Sequence, residues 1–476
     1  MKNYNSLKNI QSDIKQNKTT LRSLVLHYLG NINARQELNA FVEVFKDEAL
    51  QQADLIDKKI SEGKAGRLAG MVIGIKDNLC FKNHKVTASS KILAGFESIY
   101  TATAIEKLLA EDAIIIGRLN CDEFAMGASN ETSFYGPVKN AIDQTRVSGG
   151  SSGGAAVAVQ ADFCQASIAS DTGGSVRQPA AFVGAIGIKP TYGRISRYGL
   201  IAYASSFDQI GPITKSMYDM QLLMEVMAGK DEYDATSSTK PVEKYTDTPA
   251  QLKQKIAYIK ECVFHEGIDP EVQKATLAVI EKLKLQGHEV TEVSFPYLDY
   301  LVPIYYVLTT AEASSNLSRF SGLMYGHRSE SATDLESTFR KSRSEGFGTE
   351  VKRRIMLGTF VLSAGSYDAY YTKAQKVRRL VQEKTNQLFA DYDFILSPTT
   401  PTTAFKFGEK MDNPIAMYLA DIFTVHANIS GHPAISVPMG THSNGMPMGV
   451  QFMAKHFCEG EMMQLASTIN TDDLTG

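Results

Sequence analysis

Apolar positions recur at helical spacing through the first sixty residues, with Leu21, Leu24, Val25 and Leu29 on one face, and they predict helices there. The pattern then changes. Met71-Val72-Ile73-Gly74-Ile75 is an unbroken apolar run and reads as a buried strand, with Lys76 at its exit. Residues 102–111 read as a short amphipathic helix carrying Ile105, Leu108 and Leu109, residues 113–116 as a second strand, and residues 165–169 as a third that runs into a glycine-rich loop. Strand, glycine turn and helix in that order place Ser175 near a helix N-terminus, where free N–H groups gather. Residues 236–250, rich in Thr, Ser, Lys and Pro, predict an exposed connection. Beyond it, residues 256–259 read as a strand. Asp269-Pro270-Glu271 opens a helix with Val272, Ala275, Val279 and Leu283 at helical spacing. A polar stretch over 326–348 is flanked by long helices at about 299–322 and 349–388. Residues 394–396 form a strand ended by Pro398 and Pro401, followed by a helix around 414–428 and a strand at 434–437. No internal repeat is visible. Alternating strands and helices predict an α/β fold with a mixed, mostly parallel sheet.

Composition narrows the class. At 476 residues, 43% hydrophobic and 21% charged, the chain is in the globular range and can bury a large core. A net charge of -3 carries no basic signature for nucleic acid, so any RNA is not gripped by the bulk charge of this chain. The polar start Met1-Lys2-Asn3-Tyr4-Asn5-Ser6 is unlike a secretory signal, and the apolar stretch 180–188 is too short to span a bilayer. The five cysteines are widely spaced without a CxxC pair, which points to a reducing cytoplasm rather than to zinc. The nine histidines show no HExxH pattern, and no metal site is expected.

The candidate chemistry lies in two glycine loops and one lysine. Val147-Ser148-Gly149-Gly150-Ser151-Ser152-Gly153-Gly154-Ala155-Ala156 leads straight into an apolar run, unlike a flexible linker. Ala169-Ser170-Asp171-Thr172-Gly173-Gly174-Ser175-Val176-Arg177-Gln178-Pro179 follows soon after. A serine hydroxyl needs a base to become a nucleophile, and no GxSxG elbow or Ser-His-Asp arrangement is evident. A lysine serves as base only when neutral, and desolvation favours the neutral amine. Lys76, at the end of an apolar strand, suits that requirement.

These stretches, with Gly74-Ile75-Lys76-Asp77-Asn78, resemble the amidase signature family in sequence and in order. The resemblance runs through most of the chain. It implies one large domain over 1–476: a helical segment at about 1–65, a catalytic core at about 66–235, and a remainder at about 250–476 that holds the substrate pocket. The implied sheet is mixed, mostly parallel and covered by helices on both faces. Ser175 would be the nucleophile, Ser151 the bridging serine on a cis peptide bond, and Lys76 the base. The backbone N–H groups of Thr172, Gly173 and Gly174, with that of Ser175, would form the oxyanion hole, where glycine leaves room for the oxyanion. Asp171 and Arg177 would pair to shape the loop, and Ser152 would hold it by hydrogen bonding.

Asp122-Glu123-Phe124-Ala125-Met126-Gly127, Glu312-Ala313-Ser314-Ser315-Asn316-Leu317-Ser318-Arg319-Phe320 and Val351-Lys352-Arg353-Arg354-Ile355-Met356-Leu357-Gly358 are similar to a branch of that family, the glutaminase subunits of tRNA-dependent amidotransferases. That resemblance implies hydrolysis of glutamine, with the ammonia used for ATP-dependent conversion of Glu-tRNA(Gln) to Gln-tRNA(Gln). The implied assembly is a heterotrimer with a tRNA- and ATP-binding B subunit and a small C subunit. This chain then needs no cofactor; ATP and Mg belong to the partner, consistent with the lack of a GxxxxGK[ST] loop here. Free glutamine asks for a cation at its carboxylate and an anion at its ammonium. The resemblance assigns Arg354 and Asp421 to these roles, with Tyr306 lining the pocket. Ala128 and His426 depart from the family pattern. A stand-alone amidase acting on small or aryl amides shares the catalytic residues and differs only in the pocket.

Overall fold

The all-buried strand Val72-Ile73-Gly74-Ile75-Lys76 has neighbours on both sides, so its apolar side chains have no solvent face to avoid. In a computed structural model, which describes residues 3–250, 253–410, 417 and 420–469, it belongs to an eleven-stranded sheet. The strands are β1 (Phe41–Val44), β2 (Val72–Lys76), β3 (Ile114–Leu119), β4 (Ala166–Asp171), β5 (Ile186–Lys189), β6 (Gln209–Thr214), β7 (Lys255–Ile259), β8 (Glu289–Val293), β9 (Phe394–Pro398), β10 (Ala434–Thr441) and β11 (Pro447–Ala454). Their spatial order is β1-β3-β2-β4-β6-β5-β10-β11-β9-β7-β8, flanked by helices.

The sheet is mixed, but the expectation of mostly parallel pairing is corrected. Among the described residues, β2 runs parallel to β3 and β4, and β7 runs parallel to β8 and β9. The other six neighbouring pairs are antiparallel. Alternation of strands and helices identifies crossovers and misses direct returns. The clearest return is the β10–β11 hairpin, turned at Asn444-Gly445 with Gly445 at φ +82°. An Asn-Gly pair between apolar runs is a strong hairpin signal.

Other elements follow local chemistry. The helix Pro270–Leu285 starts as expected, with Asp269 accepting from the N–H groups of Glu271 and Val272. The polar stretch 326–348 contains the helix Leu335–Gly346, opened by a reciprocal cap between Asp334 and Ser337. The long helix expected at 349–388 is interrupted. It forms Thr349–Val361, then a wide turn at Asp368–Thr372, then Lys373–Asp391, with Gly365 between. The helical reading of the first sixty residues holds for Leu7–Lys15, Leu21–Ala34 and Lys46–Ser61 but missed β1. The 236–250 connection buries Tyr245, whose hydroxyl accepts from Arg194 Nε at 2.8 Å. Part of the helix expected around 414–428 falls outside the described residues; within them, Val425–Ser430 is helical.

Two apolar clusters matter for the site. One surrounds β2, β3 and β4. The other gathers Phe124, Tyr203, Phe207, Tyr305, Tyr306 and Phe423. In that second cluster the helix Leu298–Asn316 crosses Thr349–Val361 so closely that a Cβ on Gly358 would lie 1.9 Å from the Thr310 carbonyl oxygen. Gly358→Ala should force the two helices apart and destabilise the protein by about 1–3 kcal/mol, read as a lower thermal midpoint. An unchanged midpoint would show that the crossing is looser than this.

Candidate active site

Parallel pairing brings the carboxyl ends of β2 and β4 to the same edge of the sheet, with Ile75 beside Ile168. Lys76 therefore arrives next to Ser170, and no part of it reaches solvent. Its Nζ lies 2.7 Å from Ser151 Oγ, 2.9 Å from Ser152 Oγ and 3.1 Å from Ser170 Oγ. Among the described residues it makes no ion pair. Burial lowers its pKa below the ordinary lysine value, against the opposing pull of Cys121, Asp122, Asp171 and Asp208. Ser152 also donates to the Ser170 carbonyl at 3.1 Å, which is the loop-holding part expected of it.

The two glycine loops lie against each other. The Gly150 N–H donates to Gln178 Oε1 at 3.0 Å, and a Cβ on Gly149 would come within 2.8 Å of Pro179. The Gly150–Ser151 peptide bond is cis. Ser151 is fully buried, whereas Ser175 is 8% exposed. The structure joins Lys76 to Ser151 directly; among the described residues no hydrogen bond closes between Ser151 and Ser175.

Asp171 and Arg177 shape the second loop, and both side chains are completely buried. Arg177 Nε lies 3.0 Å from Asp171 Oδ2, and its NH2 group 3.0 Å from Oδ1. Burial acts to raise the Asp171 pKa, but the Arg177 charge and hydrogen bonds hold it down at about 2. Asp171 Oδ1 also accepts from the N–H of Gly174 at 2.9 Å. That bond takes Gly174 out of the expected set of oxyanion donors. The N–H groups of Thr172, Gly173 and Ser175 have no partner among the described residues. The two glycines also have packing reasons. A Cβ on Gly173 would lie 2.5 Å from the Tyr305 hydroxyl, and one on Gly174, at φ +132°, 2.2 Å from Thr424 Oγ1.

On the pocket side, adjacent arginines are separated by the helical period. The buried face of Thr349–Val361 carries Val351, Arg354, Gly358 and Val361. The Arg354 side chain is 5% exposed and that of Arg353 is 49% exposed. Arg354 donates to Glu350 at 2.8 Å and to the Tyr203 hydroxyl at 2.9 Å, and it lies over the Tyr306 ring at 5.2 Å. Asp421 is buried, and its Oδ1 has no hydrogen-bond partner among the described residues. Burial pushes its pKa well above the ordinary carboxylate value, with Arg354 acting the other way. A cavity of about 150 Å³ opens beside Arg354, Glu350, Glu131, Ser129 and Lys410. Ser175 is not part of that lining.

A model of the Amidase family matches residues 23–463. The chain belongs to the amidase family. This amidase is 50% identical over 473 residues to the glutamyl-tRNA(Gln) amidotransferase A subunit of Chlorobium luteolum, covering 99% of this chain and 98% of that one. It is 51% identical to the A subunit of the same enzyme from Koribacter versatilis, over 96% of each chain. The crystal structure of the glutamyl-tRNA(Gln) amidotransferase A subunit from Thermotoga maritima matches with a TM-score of 0.76 at 39% identity, over 93% of this chain and 90% of that one. A peptide amidase from Stenotrophomonas maltophilia matches at 26% identity with a TM-score of 0.79, over 96% and 95%.

Several residues of this amidase site escaped the sequence reading. Ser170 Oγ accepts from Lys76 at 3.1 Å and from Asn78 Nδ2 at 2.9 Å. Asp208 accepts from Thr172 Oγ1 at 2.7 Å and from the N–H groups of Tyr203 and Ala204. Burial raises the Asp208 pKa to about 6. Tyr203 thus connects the loop anchor to Arg354. The ties of Asp208 to Thr172 and of Tyr203 to Arg354 span 36 and 151 residues of sequence, beyond the reach of any local pattern. His426, one of the departures, is buried against Phe295 and lies 2.8 Å from Thr385 Oγ1; burial lowers its pKa to about 3. Ala128 contributes its carbonyl to Gln178 at 2.7 Å.

Asp171→Asn should cost about 3–5 kcal/mol, because it leaves the Arg177 charge buried without its counter-ion. In the parent the pair's contribution is complete above the ordinary Asp pKa of 3.8 and is lost as pH falls through about 2. Thermal unfolding followed across acid pH checks both. A variant with the parent's midpoint would remove the pair from the supports of the loop.

Proposed function

We propose that this chain is the glutamine-hydrolysing subunit of a tRNA-dependent amidotransferase. The observation that carries the chemistry is the fully buried Lys76 amine 2.7 Å from Ser151 Oγ. Ser175 Oγ attacks the carboxamide carbon of glutamine. Its proton passes to Ser151 as Ser151 gives its own to neutral Lys76. The N–H groups of Thr172 and Gly173, with that of Ser175, face the charge that develops on the carbonyl oxygen, where one donor is typically worth about 2.7–4 kcal/mol. Collapse of the tetrahedral intermediate breaks the C–N bond, and the proton returns through Ser151 to the leaving ammonia. Water then hydrolyses the acyl-Ser175 ester to glutamate along the same proton path.

Substrate choice rests on the pocket. Arg354 holds the α-carboxylate, with Tyr306 beneath it. Asp421 meets the α-ammonium, which supplies the partner that its buried oxygen lacks among the described residues. Identity of about half to whole-length relatives that carry the name of the glutamyl-tRNA(Gln) amidotransferase A subunit supports glutamine as donor and Glu-tRNA(Gln) as acceptor. In this reading a B subunit binds tRNA, ATP and Mg, a small C subunit completes the heterotrimer, and the reaction is cytoplasmic. Among the described residues no helix is long and apolar enough to cross a membrane.

The test is glutaminase kinetics on the assembly that co-purifies from the native host. Ser175→Ala should lower kcat by about 10⁴-fold or more. Arg354→Ala and Asp421→Ala should instead raise the glutamine KM by about 10–100-fold. Full activity in Ser175→Ala removes the nucleophile. A monomer that turns over simple amides and ignores glutamine establishes a stand-alone amidase instead.

The pH profile tests the base. Lys76 acts only without its proton, and burial lowers its pKa, so kcat/KM should rise with pH and level off at an apparent pKa below the ordinary lysine value of 10.5. A rate independent of pH along that limb would take proton acceptance away from Lys76.

A further inference from the structure

Asp122 and Glu123 are neighbours in sequence, and the reaction above uses neither. Their carboxylates face different elements. Asp122 Oδ2 accepts from the Asn130 N–H at 2.9 Å, and the Asp122 N–H donates to the Ser151 carbonyl at 3.1 Å, so this residue is fastened to the catalytic serine loop. Glu123 is fastened to the substrate helix. Its two oxygens accept from the N–H of Gly348 at 2.9 and 3.1 Å, and Oε1 accepts from the Ser90 hydroxyl as well. Gly348 is the residue that opens the helix Thr349–Val361, whose early turns carry Glu350 and Arg354. The fit is close, since a Cβ on Gly348 would lie 2.3 Å from Glu123 Oε2. Glu123 is 3% exposed, so little water competes for its oxygens, and a carboxylate at this helix end complements the exposed N–H groups.

We propose that Glu123 is a positioning residue for substrate recognition, holding the start of the Arg354 helix at a set distance from the Ser151 loop. The inference rests on the reading that Arg354 binds the α-carboxylate of glutamine. A rigid link of two successive residues then ties the group that grips the substrate to the group that moves its proton. Its effect belongs to ligands that carry an α-carboxylate. An amide without one gives Arg354 nothing to hold and is indifferent to where that helix starts.

The test uses the full chain in the assembly in which it purifies. Glutamine is the substrate, and 4-aminobutanamide, which is glutamine without its carboxylate, is a competing ligand. Glu123→Gln keeps the size and replaces the acid, whose pKa burial raises to about 7, with a neutral amide. It should raise the glutamine KM about tenfold, leave kcat within about twofold, and leave the inhibition constant of 4-aminobutanamide within about twofold. Ser90→Ala, which removes one donor and keeps the carboxylate, should move the glutamine KM in the same direction by about threefold, and it carries the test if Glu123→Gln does not fold. Equal losses for both ligands, or a fall in kcat at constant KM, would reduce Glu123 to a general structural support and overturn the proposal. Arg354→Ala measured alongside separates the two levels. If it leaves the glutamine KM unchanged, the pocket reading itself fails. If it raises KM while neither Glu123→Gln nor Ser90→Ala does, only the positioning role fails.

Discussion

An amine held away from water and, among the described residues, without an ion-pair partner is the constraint on which the rest of this structure depends. A buried ammonium is costly unless paired, so the surroundings of Lys76 favour its neutral form. Three serine hydroxyls surround it, and none of them can neutralise it. Keeping it dry requires strands on both sides of β2 and glycine loops that pack without side chains of their own. Gly74 shows how tight this is, since a Cβ there would meet Leu119 at 2.6 Å. Fold and reactivity are therefore linked at one residue.

The Asp171–Arg177 pair extends that constraint across the molecule. Arg177 also donates to the Thr424 carbonyl, to Gln451 and to Asn428, each more than two hundred residues away in sequence. One guanidinium thus connects the Ser175 loop to the segment after Asp421 and to β11. The loop that carries Ser175 is stabilised by the region around Thr424, Asn428 and Gln451, and each element depends on the other for its position.

Much of this was legible in the chain. The apolar run into Lys76 announced a desolvated amine, and the two glycine loops announced closely packed serines. The acid and the arginine at either side of the second loop pair as expected. The period of Val351, Gly358 and Val361 places Arg354, and not its neighbour Arg353, on the inner face. What stayed hidden depended on distant partners: the reach of Tyr203 to Arg354 and the grip of Glu123 on Gly348. Short-range periodicity has no access to such contacts. The excess of antiparallel pairing was missed for another reason. Its clearest sign, Asn444-Gly445, is a turn signal rather than a strand signal.

The place of the β10–β11 hairpin has a consequence for how the polypeptide matures. These strands come last among the described strands yet lie in the interior of the sheet, between β5 and β9. While a ribosome makes the protein from its amino end, the rim of β5 is complete long before its partner exists, and an unpaired rim invites pairing with other chains. The nascent molecule must shield that rim until residues 434–454 emerge. Loss of residues 434–454 would therefore split the sheet in two rather than trim it, leaving Arg177 without Gln451 and the amine of Lys76 inside an unfinished half.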